Sequence, residues 1–425
     1  MRRFLILVVL LLWPSVATAQ TVVVRADRMV DVLSGGVVDA PVVVITDGRI
    51  SWVGVQGDTL PTLPDDAQRI DLAGHTLLPG LIDMHVHLDA NANYAGYRQL
   101  EFTDQFWTVQ AVTNARTMLD AGFTTIRSMG ASGYSDVALR QAVDEGLIVG
   151  PRIVPAGHAL GATGGHCDNN ILPPSYGASG GGVGDGPQAL IRLVREQRRY
   201  GAEVIKICAT GGVMSRNTQP GQQQLSEEEI RAVVDEAHRL GLRVAAHAHG
   251  TEGIRAAIAG GVDTVEHVSM IDDEGIRMAR ENGVWLTMDI FLTDWLLAEG
   301  ERVGLLPENL DKERMVGQAQ RDSFRRALRG GARMIFGTDA GVYPHGMGGG
   351  QFAVMVQYGM TPMQAIQSAT SNAAEALDRS DDVGAIAVGR YGDMVAVAGD
   401  PLTEIGLLAD VAVVIKGGEI VRDRR

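Results

Sequence analysis

The pattern of hydrophobic and polar positions changes twice along the chain. Both ends carry short runs of β-branched residues, and turn signals such as Asp47-Gly48 and Gly417-Gly418 follow them. Short apolar runs that end in turns are typical of antiparallel strands. The runs lie at 21–24 and 41–46 near the start, and at 393–397 and 411–416 near the end. We therefore expect residues 20–79 and 380–425 to form one small β-sandwich domain composed of both chain ends.

The middle of the chain, residues 80–379, has a different pattern. Short apolar runs alternate there with helix-like stretches, and Ser226 with Glu229 forms a capping box at the start of one helix. This alternation indicates βα units and a parallel sheet. Eight such units predict an α/β fold, a (β/α)₈ TIM barrel. The eight candidate strands start near Leu81, Phe123, Arg152, Glu203, Arg243, Asp263, Val284 and Arg333.

One long segment interrupts this alternation. Residues 157–186 consist mainly of Gly, Ser, Asn and Pro and show little periodicity. The composition predicts a loop after the third strand. Loops of this length inside a compact domain are usually functional or disordered.

The first nineteen residues have the pattern of a signal peptide. Arg2 and Arg3 precede an apolar run at 4–13, and Ala17-Thr18-Ala19 matches a cleavage site. The run is shorter than the roughly 20 residues that a membrane-spanning helix needs. We expect a periplasmic or secreted protein that has no stable membrane span after cleavage. The chain contains only two cysteines, Cys167 and Cys208, and the sequence leaves open whether they pair.

Composition and charge restrict the class of partner. Of the 425 residues, 45% are hydrophobic and 21% are charged, as in an ordinary globular protein. The net charge of −14 argues against a nucleic-acid partner, because phosphate binding normally requires a basic patch. We expect a small-molecule or dipeptide-like substrate. The sequence leaves a homo-oligomer open.

Candidate metal ligands fall at the ends of the predicted strands. His85 and His87 close the first strand, and the two-residue period places both rings on one side, where they would suit Zn²⁺. A surface or packed histidine pair is the alternative interpretation of these two residues. The carboxyl ends of barrel strands meet on one face, so ionisable residues there converge. The further candidates at such ends are Lys206, His247, His267 and Asp339.

Lys206 is unusual because it lies inside an apolar strand. Burial disfavours an unpaired charge, lowers the pKa of a lysine and favours its neutral amine. A neutral amine can react with carbon dioxide to give a carbamate, an anion able to bridge two cations.

Together these residues resemble the amidohydrolase superfamily. The resemblance rests on Gly-Leu-Ile-Asp-Met-His-Val-His at 80–87, the strand lysine, the two later histidines, Gly-Thr-Asp at 337–339 and the tail at 384–402. It implies a site for two divalent metal ions, commonly zinc, in which a carboxylated Lys206 bridges both ions. In that scheme His85, His87 and Asp339 hold one ion, and His247 and His267 hold the other. The implied reaction is attack by a metal-activated hydroxide, with Asp339 carrying the proton to the leaving amine. Asp339 acting only as a ligand is the alternative.

Further segments resemble one branch of that superfamily, the zinc-dependent carboxypeptidases and dipeptidases that act before Lys, Arg or Pro, together with the ochratoxin-hydrolysing enzymes. These segments lie at 163–166, 206–213 and 246–250, and imidazolonepropionase-like relatives share their surroundings. The resemblance implies hydrolysis of a peptide or N-acyl amino acid with release of a C-terminal amino acid. The alternatives are a cyclic amide or other non-peptide C–N bond as substrate, and a non-catalytic exported metal-binding protein.

Two more histidines are candidate catalytic residues. His166 would donate to a substrate carboxylate or carbonyl if its loop folds over the site, or would otherwise stabilise the loop. His249 lies two residues beyond His247 and should face the same cavity, although similar proteins often carry tyrosine there.

Overall fold

The computed structural model describes residues 20–425, so the predicted signal peptide lies outside the described residues. The described chain alternates between strands and helices as the pattern predicts. The strands are β1 Thr21–Asp31, β2 Gly36–Asp39, β3 Pro41–Thr46, β4 Arg49–Val55, β5 Gln68–Pro79, β6 Leu81–Val86, β7 Phe123–Ser128, β8 Arg152–Pro155, β9 Val204–Cys208, β10 Arg243–Ala248, β11 Thr264–His267, β12 Trp285–Thr287, β13 Arg333–Ile335, β14 Met394–Ala398, β15 Val413–Lys416 and β16 Glu419–Asp423. The α-helices are α1 Asp104–Asp120, α2 Ser135–Asp144, α3 Pro187–Tyr200, α4 Glu227–Arg239, α5 Thr251–Gly260, α6 Asp273–Glu281, α7 Leu292–Val303, α8 Pro307–Arg329, α9 Gly350–Gln357, α10 Pro362–Ser368 and α11 Ser371–Ala376.

Strands from both chain ends share one sheet, in the order β16-β15-β14-β5-β1-β3-β4, with β2 paired to β1. The expected two-sheet sandwich is not confirmed. The reason is β5, which pairs with β1 on one edge, through residues up to Leu77, and with β14 on the other edge, through His75 to Pro79. Because one strand bridges the two ends, they join edge to edge in a single hydrogen-bonded sheet.

Apolar side chains cover both faces of this sheet near β1. Val22 and Val24 belong to one buried cluster and Val23 to another. Alternate residues of a strand face opposite sides of its sheet. An uninterrupted apolar run is therefore what a strand covered on both faces requires.

The eight predicted middle strands, β6 to β13, are present and give a TIM-barrel-like α/β fold. Their regular ladders form two parallel sheets, β6-β7-β8 and β9 to β13, rather than one closed ring. Isolated parallel bridges between Leu160 and Ile207 and between Val86 and Ala340 connect the two sheets at both seams. The seams fall beside β8 and β13, which have four and three residues.

The long loop after the third barrel strand is also present. Between β8 and α3 the chain forms only one short 3₁₀ helix, Pro174–Tyr176. A disulfide between Cys167 and Cys208 ties this loop to the end of β9, with the Cα atoms 6.0 Å apart. The loop is therefore held against the carboxyl ends of the barrel strands. Among residues 20–425, no helix has both the length and the apolar character that a membrane crossing requires.

Candidate metal centre

All predicted ligands line one cavity of about 550 Å³ at the carboxyl ends of the barrel strands. The parallel strands bring their last residues together there, and loop residues and helices α7 and α8 complete the walls. All but His87 are buried. The ligands that line it are His85, His87, Lys206, His247, His267 and Asp339.

The Asp339 carboxylate lies at the centre of the first group of donors. Its Oδ1 atom is 3.4 Å from His85 Nε2 and 3.3 Å from His87 Nε2. This oxygen is buried and makes no hydrogen bond to any described residue. A buried polar atom without a partner is costly, and one surrounded by imidazole nitrogens fits a cation. The donor set therefore suits a divalent metal ion.

Protonation states agree with this arrangement. Burial and the nearby Lys206 lower the pKa of His85 to about 4, so its ring is neutral near pH 7. Burial opposes ionisation of Asp339, but His85 and His87 outweigh it and hold the pKa of this carboxyl well below its usual range. The pair thus presents a neutral nitrogen and an anionic oxygen, the forms that bind metal.

The second group of donors consists of His247, His249 and His267. One ring nitrogen from each lies within 4.8 Å of the others. Burial, followed by the neighbouring histidines, lowers the pKa of His247 and His249 well below its usual value. A ring nitrogen of His249 therefore lies beside the predicted pair of donors for a second ion. A further set joins His267 to His85 and Asp339, so the two groups adjoin.

Three of the rings are oriented by acceptors behind them. Each places its Nδ1 atom against an oxygen, which leaves Nε2 directed to the cluster, as is usual for metal-binding histidines. The acceptors are the Glu266 carboxylate for His85 (3.0 Å), the Gly130 carbonyl for His87 (3.3 Å) and the Asp289 carboxylate for His267 (3.1 Å).

Lys206 is buried without a carboxylate partner. Its Nζ atom lies 3.5 Å from His85 Nε2, and no described carboxylate is within ion-pair distance. Burial lowers the pKa of Lys206 to about 8, which increases the fraction of neutral amine. These are the conditions that carbamate formation requires.

The loop places His166 over the same cluster. Its ring stacks on His247 with a centroid separation of 4.1 Å, and its Nδ1 atom lies 2.7 Å from Ser215 Oγ. Burial lowers the pKa of His166 to about 3. His249 faces the same cavity, and its Nδ1 atom lies 2.8 Å from Ser269 Oγ. Both candidate catalytic histidines are thus neutral rings beside the candidate metal ligands.

Several residues that contact the candidate ligands escaped the sequence analysis. Glu266 binds His85 and also pairs with Arg127, whose Nη2 atom is 2.7 Å away. Asp289 follows β12 by two residues, so the rule that found the other strand-end ligands would also have found it. Glu266 had no such signal, because strand alternation places consecutive residues on opposite faces.

The backbone explains how two consecutive residues serve one site. His267 has φ 70° and Asp339 has φ 58°, in the left-handed region that residues other than glycine rarely adopt. The turn at His267 breaks the alternation of β11, so that Glu266 and His267 both reach the cluster. Strain of this kind persists where the surrounding structure enforces it, and it concentrates at functional sites.

Comparisons with known proteins agree with the geometry. The profile of the amidohydrolase family matches residues 76–421. The ochratoxinase of Aspergillus niger is 33% identical over 413 residues, which cover 89% of this chain and 82% of the relative. A solved structure described as a Xaa-Pro dipeptidase with bound methionine in the active site has a TM-score of 0.85 and 36% identity, and covers 95% of this chain and 100% of that one. Imidazolonepropionase of Streptomyces avermitilis is 24% identical over 378 residues, which cover 84% of this chain and 81% of the relative. The resemblance found in the motifs is confirmed.

Proposed function

We propose that this chain, a member of the amidohydrolase family of hydrolases that act on carbon–nitrogen bonds, is a metal-dependent enzyme. In this proposal it cleaves the amide bond of a peptide or N-acyl amino acid. The product would be a free C-terminal amino acid. The ochratoxinase and the dipeptidase structure support an amide substrate.

One observation carries the metal dependence. The buried Asp339 oxygen has no hydrogen-bond partner and lies within 3.4 Å of two imidazole nitrogens. A structural role would give this oxygen a donor, because buried polar groups are normally satisfied. A bound cation would be the partner of this oxygen that the described residues do not provide.

The chain's own residues divide the work of binding. One divalent ion would be held by His85, His87 and Asp339, and the other by His247 and His267. We propose that both ions are zinc. Lys206, as an N6-carboxylated lysine, would contact both. When bound, the two ions would lower the pKa of a water molecule and polarise the scissile carbonyl.

Asp339 is the proton carrier in this proposal. Its carboxylate is ionised and has two oxygens, so one can hold an ion while the other takes a proton from the attacking water and delivers it to the leaving nitrogen. His166 and His249 line the same cavity as neutral rings, each with Nδ1 placed against a hydroxyl. We assign them to hydrogen bonds with the substrate carbonyl or carboxylate, which position the bond for attack.

The test is release of amino acids by the mature protein, residues 20–425. The protein is loaded with zinc and bicarbonate and incubated with a library of dipeptides and N-acyl amino acids, beside Asp339→Asn. We expect release that a chelator stops and that the variant lacks. Absence of release from every member by a protein with two bound ions would overturn the amide proposal and favour a cyclic amide or another C–N bond.

We also propose that residues 1–19 direct export to the periplasm or the medium. The disulfide between Cys167 and Cys208 supports this, because disulfides persist in oxidising compartments. Fractionation of cells and N-terminal sequencing test it. A mature protein in the cytoplasm that retains Met1 would refute it.

A further inference from the structure

Glu313 is a buried carboxylate in the cavity wall that the proposed reaction does not use. It lies in α8, is 3% exposed and lines the same cavity as the metal ligands. Its described hydrogen bond comes from Thr293 Oγ1 of α7, at 2.6 Å. No arginine, lysine or histidine of residues 20–425 pairs with it, and the adjacent Lys312 donates instead to the Ser215 carbonyl.

Two other buried acids have the cationic partner that Glu313 lacks. Glu266 pairs with Arg127, and Asp393 pairs with Arg152. Asp83 has no cation but accepts three hydrogen bonds and does not line the cavity. Burial, assisted by Asp289, raises the pKa of Glu313 to about 7, which reflects the cost of a carboxylate without a counter-charge.

The wall around Glu313 is apolar and fixed in place. Leu292, Leu296 and Val316 line the cavity from α7 and α8. Seven residues after Glu313, which is about 10.5 Å of helix rise, Gln320 donates to Asp289 at 2.7 Å and to the carbonyl of His267 at 3.0 Å. Helix α8 therefore holds Glu313 at a set distance from the ligands of the metal site.

The charged side chains of the cavity wall favour a cation beside Glu313. Its described lining has no arginine, and its one lysine is Lys206 in the metal cluster. Its acids include Asp89 and Glu313, which lie outside the proposed ligand set. An apolar wall that ends in a carboxylate suits a group with a hydrocarbon stem and a positive end.

We propose that Glu313 determines specificity by binding a cationic group of the substrate, an ammonium or guanidinium. This inference rests on the proposed amide hydrolysis and narrows its substrate class. The cation has two possible sources, a basic side chain or the α-ammonium of an unblocked dipeptide. The apolar stem of a lysine or arginine side chain fits the wall described above.

Two matched substrate pairs distinguish these sources. N-acetyl-alanyl-lysine and N-acetyl-alanyl-norleucine differ in the side-chain cation, whereas alanyl-leucine and N-acetyl-alanyl-leucine differ in the α-ammonium. We expect the charged member of one pair to have a kcat/KM at least about tenfold higher, as one charge-assisted hydrogen bond provides. In Glu313→Gln this preference should fall to about twofold or less, while the neutral member keeps its kcat/KM within about threefold.

Glu308→Gln is the matched control, because it removes a carboxylate of the same helix that pairs with Arg216 and does not line the cavity. It should keep the wild-type preference, and circular dichroism should show that both variants fold. Hydrolysis of all four substrates without a preference, or a preference that Glu313→Gln retains, overturns the role of Glu313 and leaves the amide proposal intact.

A binding measurement tests Glu313 even if no amide is cleaved. Calorimetry of the zinc-loaded protein should show tighter binding of free lysine than of norleucine, and Glu313→Gln should lose the difference. Equal binding of the two amino acids by the wild type would exclude the side-chain cation as the source, and affinities that are equal and unchanged in Glu313→Gln would refute the inference without reference to turnover. Failure of hydrolysis together with selective lysine binding would refute only the proposed reaction.

Discussion

Replacing Glu266 by glutamine should damage both the folding and the proposed metal site, because this residue joins the barrel core to the candidate ligand His85. The Glu266 carboxylate accepts hydrogen bonds from His85, Arg127 and Thr264. Arg127 and Glu266 are both almost fully buried. A glutamine has one acceptor oxygen and no charge, so it cannot satisfy the same three donors.

The expected magnitude follows from the buried ion pair. Removing one partner of such a pair leaves the other charge uncompensated and costs about 3–5 kcal/mol. Glu266→Gln and Arg127→Met should each lower the free energy of unfolding by about this amount. The double variant should lose less than the sum of the two, since no unpaired charge remains in it.

The pH dependence gives an independent check. Burial opposes ionisation of Glu266, but Arg127 and His85 outweigh it and hold the pKa of this carboxyl well below the ordinary 4.5. The stability that the carboxylate contributes is therefore fully present above pH 4.5 and is lost as the pH falls below this value. The wild type should lose stability on acidification more steeply than Glu266→Gln.

Urea unfolding of the metal-free protein, followed by circular dichroism at pH 7 and pH 4, measures both effects. Zinc titration of the refolded variants should show affinity reduced by about 10- to 100-fold, because His85 loses the acceptor that orients its ring. Single variants within about 1 kcal/mol of the wild type, or effects that add in the double variant, would refute this account of the buried pair.

Three further changes test other parts of the structure. Removal of the disulfide in Cys167→Ser/Cys208→Ser should cost about 4 kcal/mol for a sequence separation of 41 residues, and urea unfolding with and without reductant measures it. If the His249 ring is a ligand of the second ion, His249→Phe should reduce the zinc bound per chain, which mass spectrometry measures. An unchanged metal content with a raised KM would instead assign the ring to substrate binding. Gly317→Ala should destabilise the protein by about 1–3 kcal/mol, because the new Cβ would clash with the Thr293 side chain. This cost should exceed the gain from the better helix propensity of alanine. A variant as stable as the wild type would contradict this packing.

The sequence predicts the strand-borne part of the site well, for a physical reason. Residues such as His85 and Lys206 interrupt apolar strands, and the parallel barrel brings the ends of those strands together. Their positions along the chain are therefore sufficient to predict that they meet. The single terminal sheet was not predictable in the same way, because the choice between one sheet and two depends on pairing along β5 rather than on apolar pattern.

The helix-borne part of the cavity required the structure. Glu313 stands in α8 between Lys312 and Arg314, where the sequence resembles an ordinary solvated helix with alternating charges. Only the folded chain shows that Lys312 turns to backbone carbonyls and that Glu313 points into the cavity. The burial of one charge among several neighbours on a helix depends on tertiary packing, which a single sequence does not reveal.

This division between strands and helices has a consequence for how the site operates. The proposed ligands lie at strand ends and are oriented from behind by buried acceptors such as Glu266 and Asp289. Glu313 is linked to the same ligands through α8 and the hydrogen bonds of Gln320 to Asp289 and to the carbonyl of His267. A change at Glu313 should therefore alter which substrate binds while the metal content stays the same, whereas a change at Gln320 should affect both. Measuring zinc content and substrate preference together in Glu313→Gln and Gln320→Leu separates the two roles, and loss of zinc in Glu313→Gln would contradict the division.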